Sequence, residues 1–357
     1  MQLGILGRYL LREVIGALAA VAIVLLAIMN SVQFGKYLAQ AAGGTLPKDL
    51  LLNIVALTSL QYLMLLMPFS ALMAVMLALG RLYKDQEIAA MAGCGVGGRR
   101  LYFPFLLLAL GMALVTAALS FQVGPWAGRQ ADMTLKDGKW LVQFNPFEAG
   151  RFKEVGGGRA VFYTESLDES GNELGMVFGE LREESGVSVL TARAGRYTQS
   201  PEGGRHLVLE DGWRYQGGPG QGDYDITHYQ KLQSRIQLPE FVYKSDERKT
   251  KPTLELLKSN DPGDLAEWHW RLSAPIGVFL MVLLAVPLSH IAPRQGRYSK
   301  LVVGIVVYFV YVGLLAFGQK AIEKGRMPDF LGLWWVHVPA LLLAMFLIAR
   351  REGWLRR

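Results

Sequence analysis

The residues of this chain that could do chemistry are charged side chains suited to binding, and none of them forms a catalytic pattern. The sequence contains no G-x-x-x-x-G-K-[ST] phosphate loop, no H-E-x-x-H metal motif and no G-x-S-x-G nucleophile motif. Its five histidines are scattered, and its one cysteine, Cys94, cannot form an intrachain disulfide. Residues 93–98 match G-x-G-x-x-G by letter, but no strand is predicted before them, so they indicate a flexible turn. We therefore expect no enzyme activity, no cofactor and no metal.

The most informative polar stretch surrounds Glu87, between two long apolar segments. Residues 82–92 are predicted to form one short helix that ends at the glycines following it. A carboxylate on such a helix can make charge-assisted hydrogen bonds to a cationic groove. The side chains expected to contact a partner together with Glu87 are Tyr83, Ile88 and Met91. Two interpretations are open: an interfacial helix that rests on lipid, or a helix that docks on a partner protein.

The elements that must position these residues are membrane-spanning helices. Apolar residues make up 52% of the 357-residue chain and charged residues only 19%, against about 25% charged in soluble domains. A membrane crossing needs about 20 consecutive apolar residues. The stretches without Asp, Glu, Lys or Arg that reach about this length are 14–35, 50–80, 101–128, 272–293, 301–319 and 330–349. The sequence therefore predicts six spans, three before a polar insert and three after it.

The orientation of the spans follows from the positive-inside bias of short loops. With the amino terminus inside, thirteen Lys and Arg residues fall in inside segments and five in short outside loops. Both termini are therefore predicted to be cytoplasmic, and the insert lies on the far side. The predicted parts are 1–122 with spans one to three, the insert 123–265, and 266–357 with spans four to six. The insert has 18 Lys and Arg against 22 Asp and Glu, so the high pI of 9.4 reflects topology and not nucleic-acid binding.

Four cations lie at the predicted outer face, against this bias. They are Lys36, Lys320, Lys324 and Arg326. Each alone is explained as an interfacial side chain whose charged end reaches water. Together they are candidates for binding an anionic lipid headgroup.

The polar insert is predicted to be β structure. Short runs with strand-like alternation are separated by turn signals such as residues 169–172 and 184–186. This pattern is typical of a sandwich, a jelly roll or an open barrel. An open barrel would hold lipid chains, whereas a closed core would bury the same side chains against one another, and both interpretations are open. The candidate lining residues are Val161, Tyr163, Leu207, Leu209, Trp213 and Tyr215.

Three motifs make the sequence similar to a known family. Residues 86–95, read as Q-E-I-A-A-M-x-x-C-G, resemble a cytoplasmic signature of the lipopolysaccharide export permeases, the LptF/LptG family. Residues 8–13, R-Y-L-x-R-E, resemble a second signature. A third is matched by the loop before span five, Pro293, Arg294, Gln295, Gly296 and Arg297. Cys94 with Gly95, and residues 225–230, look more like LptF-type than LptG-type members.

This resemblance implies a fold and a function. Family members have six transmembrane helices and a periplasmic, jelly-roll-like all-β domain inserted between helices three and four. An LptF-type and an LptG-type permease form a cavity in the Gram-negative inner membrane, above a dimer of the ATPase LptB, which binds the ATP. Lipopolysaccharide passes from the cavity through the β domain toward LptC and LptA.

The resemblance also assigns roles to single residues. It implies that Glu87 is the acid of the helix that couples to the ATPase. It implies that Lys36 faces lipid phosphates, while Gln33 stands where relatives can carry a second cation. The loop 293–297 is either a topology signal or, given its Pro and Gly, a defined turn that contacts the neighbouring helix or the ATPase. The alternatives are an LptG-type paralogue, a membrane-anchored periplasmic lipid-binding scaffold and, less favoured, an intramembrane enzyme.

Overall fold

A computed structural model of the chain shows two compact units. The first comprises residues 1–38, 51–134 and 244–357, and the second comprises residues 39–50 and 135–243. The residues that the structure describes are 4–144, 147, 149–155, 158, 160–168, 172–183, 186–199, 205–218, 223–236, 243, 248–290, 300–328 and 331–351. The loop 293–297 therefore lies outside the described residues.

Helices account for most of the described chain. They are α1 (Ile5–Ala42), α2 (Leu51–Lys84), α3 (Glu87–Gly93), α4 (Gly98–Ala118), α5 (Gly124–Phe144), α6 (Thr253–Lys258), α7 (Pro262–Leu288), α8 (Leu301–Glu323) and α9 (Trp334–Arg351). Among the described residues, six helical runs are long and apolar enough to cross a membrane: Ile5–Ala42, Lys48–Lys84, Arg100–Lys139, Pro262–Leu288, Leu301–Glu323 and Trp334–Arg351. The prediction of six spans is confirmed.

Helices α2 and α7 form the centre of the helical unit. The apolar windows of α2 and α7 are 67% and 61% buried, whereas that of α1 is only 6% buried. Leu79 of α2, Met281 of α7 and Phe105 of α4 meet in one apolar core. Helices α1, α8 and α9 leave rows of large apolar side chains uncovered. Because exposed apolar area costs about 25 cal/mol per Å² in water, these helices require lipid or another membrane protein around them.

The third span continues into the polar insert without a break. A π-helical turn, Leu119–Val123, joins α4 to α5, which remains helical to Phe144. At the other end of the insert, α6 and the start of α7 are helical as well. Among the described residues, the strands therefore lie within 153–236, while both ends of the predicted insert 123–265 are helical. Helix α5 is polar but contains no Pro after Pro125 in its first turn, so nothing in its sequence ends the helix earlier.

The second unit contains one antiparallel sheet, in agreement with the predicted β region. Its strands are β1 (Lys153–Val155), β2 (Ala160–Thr164), β3 (Glu173–Leu174), β4 (Val177–Glu183), β5 (Gly186–Gln199), β6 (Arg205–Gly217) and β7 (Tyr224–Ile236). Neighbours in the sheet follow the order β1-β2-β4-β5-β6-β7, and β3 pairs with β5. A small apolar core lies on this sheet and is formed by Phe147, Leu174, Val177, Ala192, Leu207 and Leu209.

The face of the sheet that carries this core changes at Asp211. Leu207 and Leu209 of β6 belong to the core, but beyond Asp211 the core residue is Ala192, which pairs with Gly212. Odd positions of β6 therefore point toward the core before Asp211, and even positions do so after it. Asp211 has a φ of 52°, in the left-handed region, and this interrupts the regular alternation of side chains.

A buried guanidinium fixes the segment through which the chain returns from the β region to α7. Arg271 of α7 is 1% exposed, and its Nε donates to Oε1 of Glu267 at 3.0 Å. Its two terminal nitrogens donate to the carbonyl oxygens of Arg248 (3.3 Å), Lys249 (3.0 Å) and Lys251 (2.9 Å) and to Oγ1 of Thr253 (2.8 Å). All five N–H groups of the side chain thus have an acceptor. In the sequence, Arg271 is distinguished only as the residue that precedes the uncharged run 272–293.

Replacing Arg271 by Met should strongly destabilise the full-length protein in detergent. The variant leaves the carboxylate of Glu267 buried without its cation, a change that typically costs about 3–5 kcal/mol. Unfolding monitored by tryptophan fluorescence gives the free energy. The control is Lys258→Met on α6, which removes an exposed cation and should change stability by less than about 0.5 kcal/mol. Equal stability of the Arg271→Met variant and the natural protein would contradict this role.

Candidate functional site

A cluster of four polar side chains joins the first three helices, and we call it the Glu87 cluster: Tyr9, Glu13, Arg81 and Glu87. The hydroxyl of Tyr9 in α1 donates to Oε2 of Glu87 in α3 at 2.7 Å. Nη2 of Arg81 in α2 lies 2.9 Å from Oε2 of Glu13 and donates to the Tyr9 hydroxyl at 3.4 Å. The contacts therefore form a chain in which Arg81 joins Glu13 to Tyr9, and Tyr9 joins Arg81 to Glu87. The first and second family-like motifs, distant in sequence, meet here.

The predicted helix 82–92 is wrong in one respect, because the chain turns within it. Helix α2 extends to Lys84, and α3 begins only at Glu87. Between them Gln86 has a φ of 58°, a left-handed conformation that cannot continue a right-handed helix. Tyr83 therefore lies on α2, while Glu87, Ile88 and Met91 lie on α3, and the four do not share one helical face.

Helix α3 is anchored on one side and open on the other. Ile88 is 7% exposed and packs into the apolar core of the helical unit, and Met91 packs partly against the same core. The exposed positions of α3 are Ala89, Ala90, Ala92 and Gly93. The buried side chain of Ile88 thus holds the helix in place and is not accessible to a partner protein. The small exposed side chains leave room for another protein to approach the backbone closely.

Tyr83 is engaged by the last helix of the chain. Nη2 of Arg351 in α9 donates to the Tyr83 hydroxyl, and the guanidinium carbon lies 5.3 Å from the ring centroid. The Tyr83 ring also meets His290 edge-on, with 5.2 Å between ring centroids. Tyr83 therefore ties α2 to α9 and to the end of α7. In the sequence, Arg351 is one of the thirteen cations of the predicted inside segments, and no local pattern signals its contact with Tyr83.

The four candidate headgroup cations are exposed but are not gathered into one site. Lys36 lies near the end of α1, with its Nζ 5.9 Å from the centroid of the Tyr37 ring. Lys320, at the end of α8, has a side chain that is 74% exposed and an Nζ 3.9 Å from Oε2 of Glu323. Lys324 and Arg326 follow α8 and are exposed. Within the described chain, no contact joins Lys36 to the three cations around the end of α8.

Helix α1 is held to α2 by polar pairs at mid-length as well as by the Glu87 cluster. Nε2 of Gln33 donates to the hydroxyl of Tyr62 at 2.5 Å. The hydroxyl of Ser59 donates to Oδ1 of Asn30 at 2.7 Å. Gln33, the position where the resemblance implies a cation in relatives, is thus committed to a contact within the chain.

The six candidate lining residues of the β region divide into two groups. Leu207 and Leu209 are 7% and 4% exposed and lie in the closed core of the sheet. Val208, which alternates with them along β6 and so points to the other face, is itself only 4% exposed. Both faces of β6 are covered at this point, so the prediction that Leu207 and Leu209 line an open slot is wrong.

The other four candidates share the opposite face of the sheet, which we call the aromatic face. Its members are Val161, Tyr163, Phe178, Val189, Trp213, Tyr215 and Ile226, connected through the register of β2, β4, β5, β6 and β7. Trp213 is 45% exposed, Tyr215 37% and Ile226 55%. The ring of Phe152 stacks on that of Tyr163 with 4.7 Å between centroids. The same register places Glu180, Thr191 and His228 on this face, so it is an open, mainly apolar surface with a few polar groups, and it is not part of the small core.

Polar groups on the core side of the same sheet are paired instead. The hydroxyl of Tyr229 donates to the carbonyl oxygen of Thr191 at 2.7 Å, across Gly212, where a Cβ would meet that oxygen at 2.0 Å. Burial raises the pKa of Tyr229, because the ionised phenolate would lose its hydration there. Tyr229 therefore remains a neutral donor at physiological pH and fixes β6 against its neighbours.

A polar trio inside the helical unit was not foreseen in the sequence. Nε2 of His337 in α9 lies 3.0 Å from Oγ of Ser273 in α7, and its Nδ1 lies 2.9 Å from the hydroxyl of Tyr311 in α8. His337 is 5% exposed. The three residues are more than 25 positions apart in sequence, so only the packed structure shows that they meet. Across the described residues, no group of three His, Cys, Asp or Glu side chains could hold a metal ion.

Comparisons with known proteins agree with the sequence motifs. A family model described as lipopolysaccharide export system permease LptF/LptG matches residues 8–350. The lipopolysaccharide export system permease protein LptF of Escherichia coli strain K12 is 28% identical over 343 residues, which are 95% of this chain and 93% of that protein. The LptF protein of Shigella flexneri matches to the same extent.

Replacing Tyr9 by Phe should loosen α3 without unfolding the helical unit. The variant removes the hydrogen bond to the carboxylate of Glu87, and in a half-buried site we expect amide exchange of residues 87–93 to rise about five- to tenfold. Hydrogen–deuterium exchange measures it. The control is Tyr62→Phe, which also removes a hydroxyl that bonds to α1, but one that lies on α2 and far from α3. Unchanged exchange in the Tyr9→Phe variant would show that Ile88 alone holds α3.

Proposed function

Because the chain belongs to the LptF/LptG family of lipopolysaccharide export permeases, we propose that it is the LptF-type transmembrane subunit of an ABC transporter that extracts lipopolysaccharide from the inner membrane. It is a multi-pass inner-membrane protein whose six spans and β region suit this role. The observation that carries the proposal is the attachment of α3 to α1 through the Glu87 cluster.

The attachment supports a coupling role for α3. A helix that receives a movement from an ATPase must expose one side to that ATPase and be fixed on the other. Helix α3 has exposed alanines on one side, while Ile88 and the Tyr9–Glu87 hydrogen bond fix the other. A displacement of α3 therefore reaches α1, the least buried of the six spans. The sequence lacks a phosphate loop, so we assign ATP binding and hydrolysis to an LptB-like dimer.

A second, LptG-like permease would cover the uncovered apolar helices. The apolar windows of α1 and α8 are 6% and 28% buried. Both carry rows of exposed Ile, Val, Leu and Phe side chains. Two such permeases would enclose an apolar cavity between them, and lipopolysaccharide would occupy it. Lys36, Lys320, Lys324 and Arg326 would meet its phosphates at the outer end of this cavity.

The topology proposed for this function places both termini in the cytoplasm and the β region in the periplasm. Contacts within the helical unit support the first part, since Tyr9 near the amino terminus and Arg351 near the carboxyl terminus both reach the Arg81–Glu87 region. The basic loop 293–297 would lie on the same side, where it would contact α3 or the ATPase.

The aromatic face of the sheet is the proposed path for the lipid chains in the periplasm. Each methylene group that crosses water unprotected costs about 0.8 kcal/mol. An open surface of Trp, Tyr, Val and Ile side chains removes much of that cost. Strand β7 ends the sheet of the described residues, and its free edge could pair with a strand of an LptC-like protein, with LptA-like proteins beyond.

Replacing Glu87 by Gln should uncouple the ATPase while keeping the fold. Gln retains an acceptor for the Tyr9 hydroxyl but loses the negative charge offered to a cationic groove. We expect lipopolysaccharide-stimulated ATP hydrolysis by the reconstituted transporter to fall about tenfold. The matched control is Asp85→Asn, an exposed carboxylate two residues away, which should behave as the natural protein. Normal hydrolysis in the Glu87→Gln variant would show that coupling does not require the charge of Glu87.

A photo-crosslinking residue at Tyr215 should capture lipopolysaccharide when ATP is supplied to the assembled transporter. The reason is that Tyr215 lies on the aromatic face and is 37% exposed. The same residue at Leu207, in the closed core, or at Gln216, on the other side of β6, should capture much less. Equal capture at all three positions, or capture at Leu207 alone, would place the lipid path elsewhere.

A further inference from the structure

A lipid-sized cavity lies in the helical unit, on residues that the proposed substrate path does not use. It has a volume of about 630 Å³ and is formed by the π-helical turn, the start of α5, α6 and the first part of α7. Trp126, Arg129, Leu254, Leu257 and Trp268 are among the residues that line it. This volume is within the range of about 300–1,000 Å³ that is typical of small-molecule sites.

The cavity lies at the level of the lipid headgroups. Span three becomes apolar after Arg100, and about 20 residues at 1.5 Å each cross the 30 Å hydrocarbon layer. The far boundary is thus reached near Phe121, at the wall of the cavity. Trp126 and Trp268 stand where an aromatic belt is expected. Leu254 and Leu257 of α6 are 72% and 54% exposed, as in a short helix that lies in a membrane surface.

The lining favours an anion. Arg129 is its one charged residue, and no Asp or Glu is among the described residues that form the walls. The guanidinium makes only two long hydrogen bonds, from Nε and Nη2 to the carbonyl oxygen of Thr250 at 3.4 Å. Its remaining N–H groups have no acceptor in the described part of the chain. Gln122 and Gln130 add neutral polar groups beside it.

The walls of the cavity are fixed by partly buried hydrogen bonds. The hydroxyl of Thr253 donates to the carbonyl oxygen of Phe121 at 2.7 Å. That carbonyl belongs to the π-helical turn, a kind of irregularity that is frequent at functional sites. Thr253 in turn accepts a hydrogen bond from the buried Arg271. The cavity therefore does not depend on the ligand for its shape.

We propose that this cavity binds an anionic glycerophospholipid of the inner membrane. Its phosphate accepts hydrogen bonds from Arg129, and the upper part of an acyl chain packs on Trp126, Leu254 and Leu257. A glycerol headgroup fits better than an ethanolamine one, because Arg129 has no acidic neighbour in the lining that would pair with an ammonium group. The lipid is held as a bound membrane lipid and is not a transport substrate, so the inference rests on membership of a membrane permease family and not on the proposed transport path.

Native mass spectrometry of the full-length protein, released from nanodiscs that contain equal phosphatidylglycerol and phosphatidylethanolamine, tests this site. Arg129→Gln should reduce bound phosphatidylglycerol about tenfold. Lys258→Gln, which removes an exposed cation of α6 outside the lining, should leave it unchanged.

A second pair of variants tests the site without changing Arg129, in case the Arg129→Gln substitution disturbs the local structure. Leu254→Glu places an acid at the cavity, and Leu52→Glu places one at a Leu of similar exposure on α2, 74% against 72%. Only Leu254→Glu should displace phosphatidylglycerol. Equal loss in both members of either pair would mean nonspecific boundary lipid and would overturn the proposal. The proposal would also fail if added lipopolysaccharide, and not phosphatidylglycerol, were the lipid lost from the Arg129 and Leu254 variants, since the cavity would then belong to the transport path.

Discussion

The helical unit depends on a buried cation that the surrounding backbone must satisfy. Arg271 is almost completely buried, and leaving any of its donors unpaired there would cost several kcal/mol. Glu267, one turn earlier, supplies one acceptor, and the segment 248–253 supplies the others through three carbonyl oxygens and the Thr253 hydroxyl. The irregular course of this segment is thereby determined by the geometry of one planar side chain. The carbonyl oxygen of Arg271 itself accepts from Ser120, which fixes the π-helical turn of span three to α7.

At the opposite end of the helices, the Glu87 cluster also pairs a cation with acceptors from other elements, but its side chains are less buried than Arg271. Glu13 and Glu87 lie on α1 and α3, and Arg81 and Tyr9 connect them. These groups are half-exposed, so each contact contributes little to stability. Their value is positional, because α1 has few other contacts with the chain. A helix that is weakly held along its length and tied at Asn30, Gln33 and the Glu87 cluster can move as a unit when α3 moves.

The sequence could predict features that follow from the surrounding solvent or from the periodicity of apolar residues. It could not predict features that depend on residues far away in the chain. Uncharged runs identify the spans because lipid penalises charge, whatever the packing. Alternation identifies strands in the insert, but it assumes one face for a whole strand, and the left-handed φ of Asp211 breaks that assumption between Leu209 and Trp213. Gln86 breaks the helix 82–92 in the same way. Neither residue type requires a left-handed conformation, so the sequence does not signal these two breaks.

Arg271 shows the same limit for a charged residue. In the sequence it ends an uncharged run, as Lys300 and Arg350 do, and nothing local distinguishes a buried cation from a topology signal. Its partners on segment 248–253 lie 18 to 23 positions earlier in the chain, at or before the start of α6, so no helical or strand period connects them to Arg271. Only a complete count of donors and acceptors identifies it.

A count of hydrogen-bond donors and acceptors also identifies the role of the polar trio of α7, α8 and α9. An ionisable residue inside a membrane protein suggests a proton path by default. Ser273 has one hydroxyl proton, which it donates to the carbonyl oxygen of His269 at 2.8 Å. Its oxygen must then accept from Nε2–H of His337, so Nδ1 is left to accept the proton of the Tyr311 hydroxyl. One arrangement of protons on a neutral imidazole satisfies all three side chains, and none is left over for transfer. The trio therefore holds three spans in one register, and this gives the buried histidine a structural role.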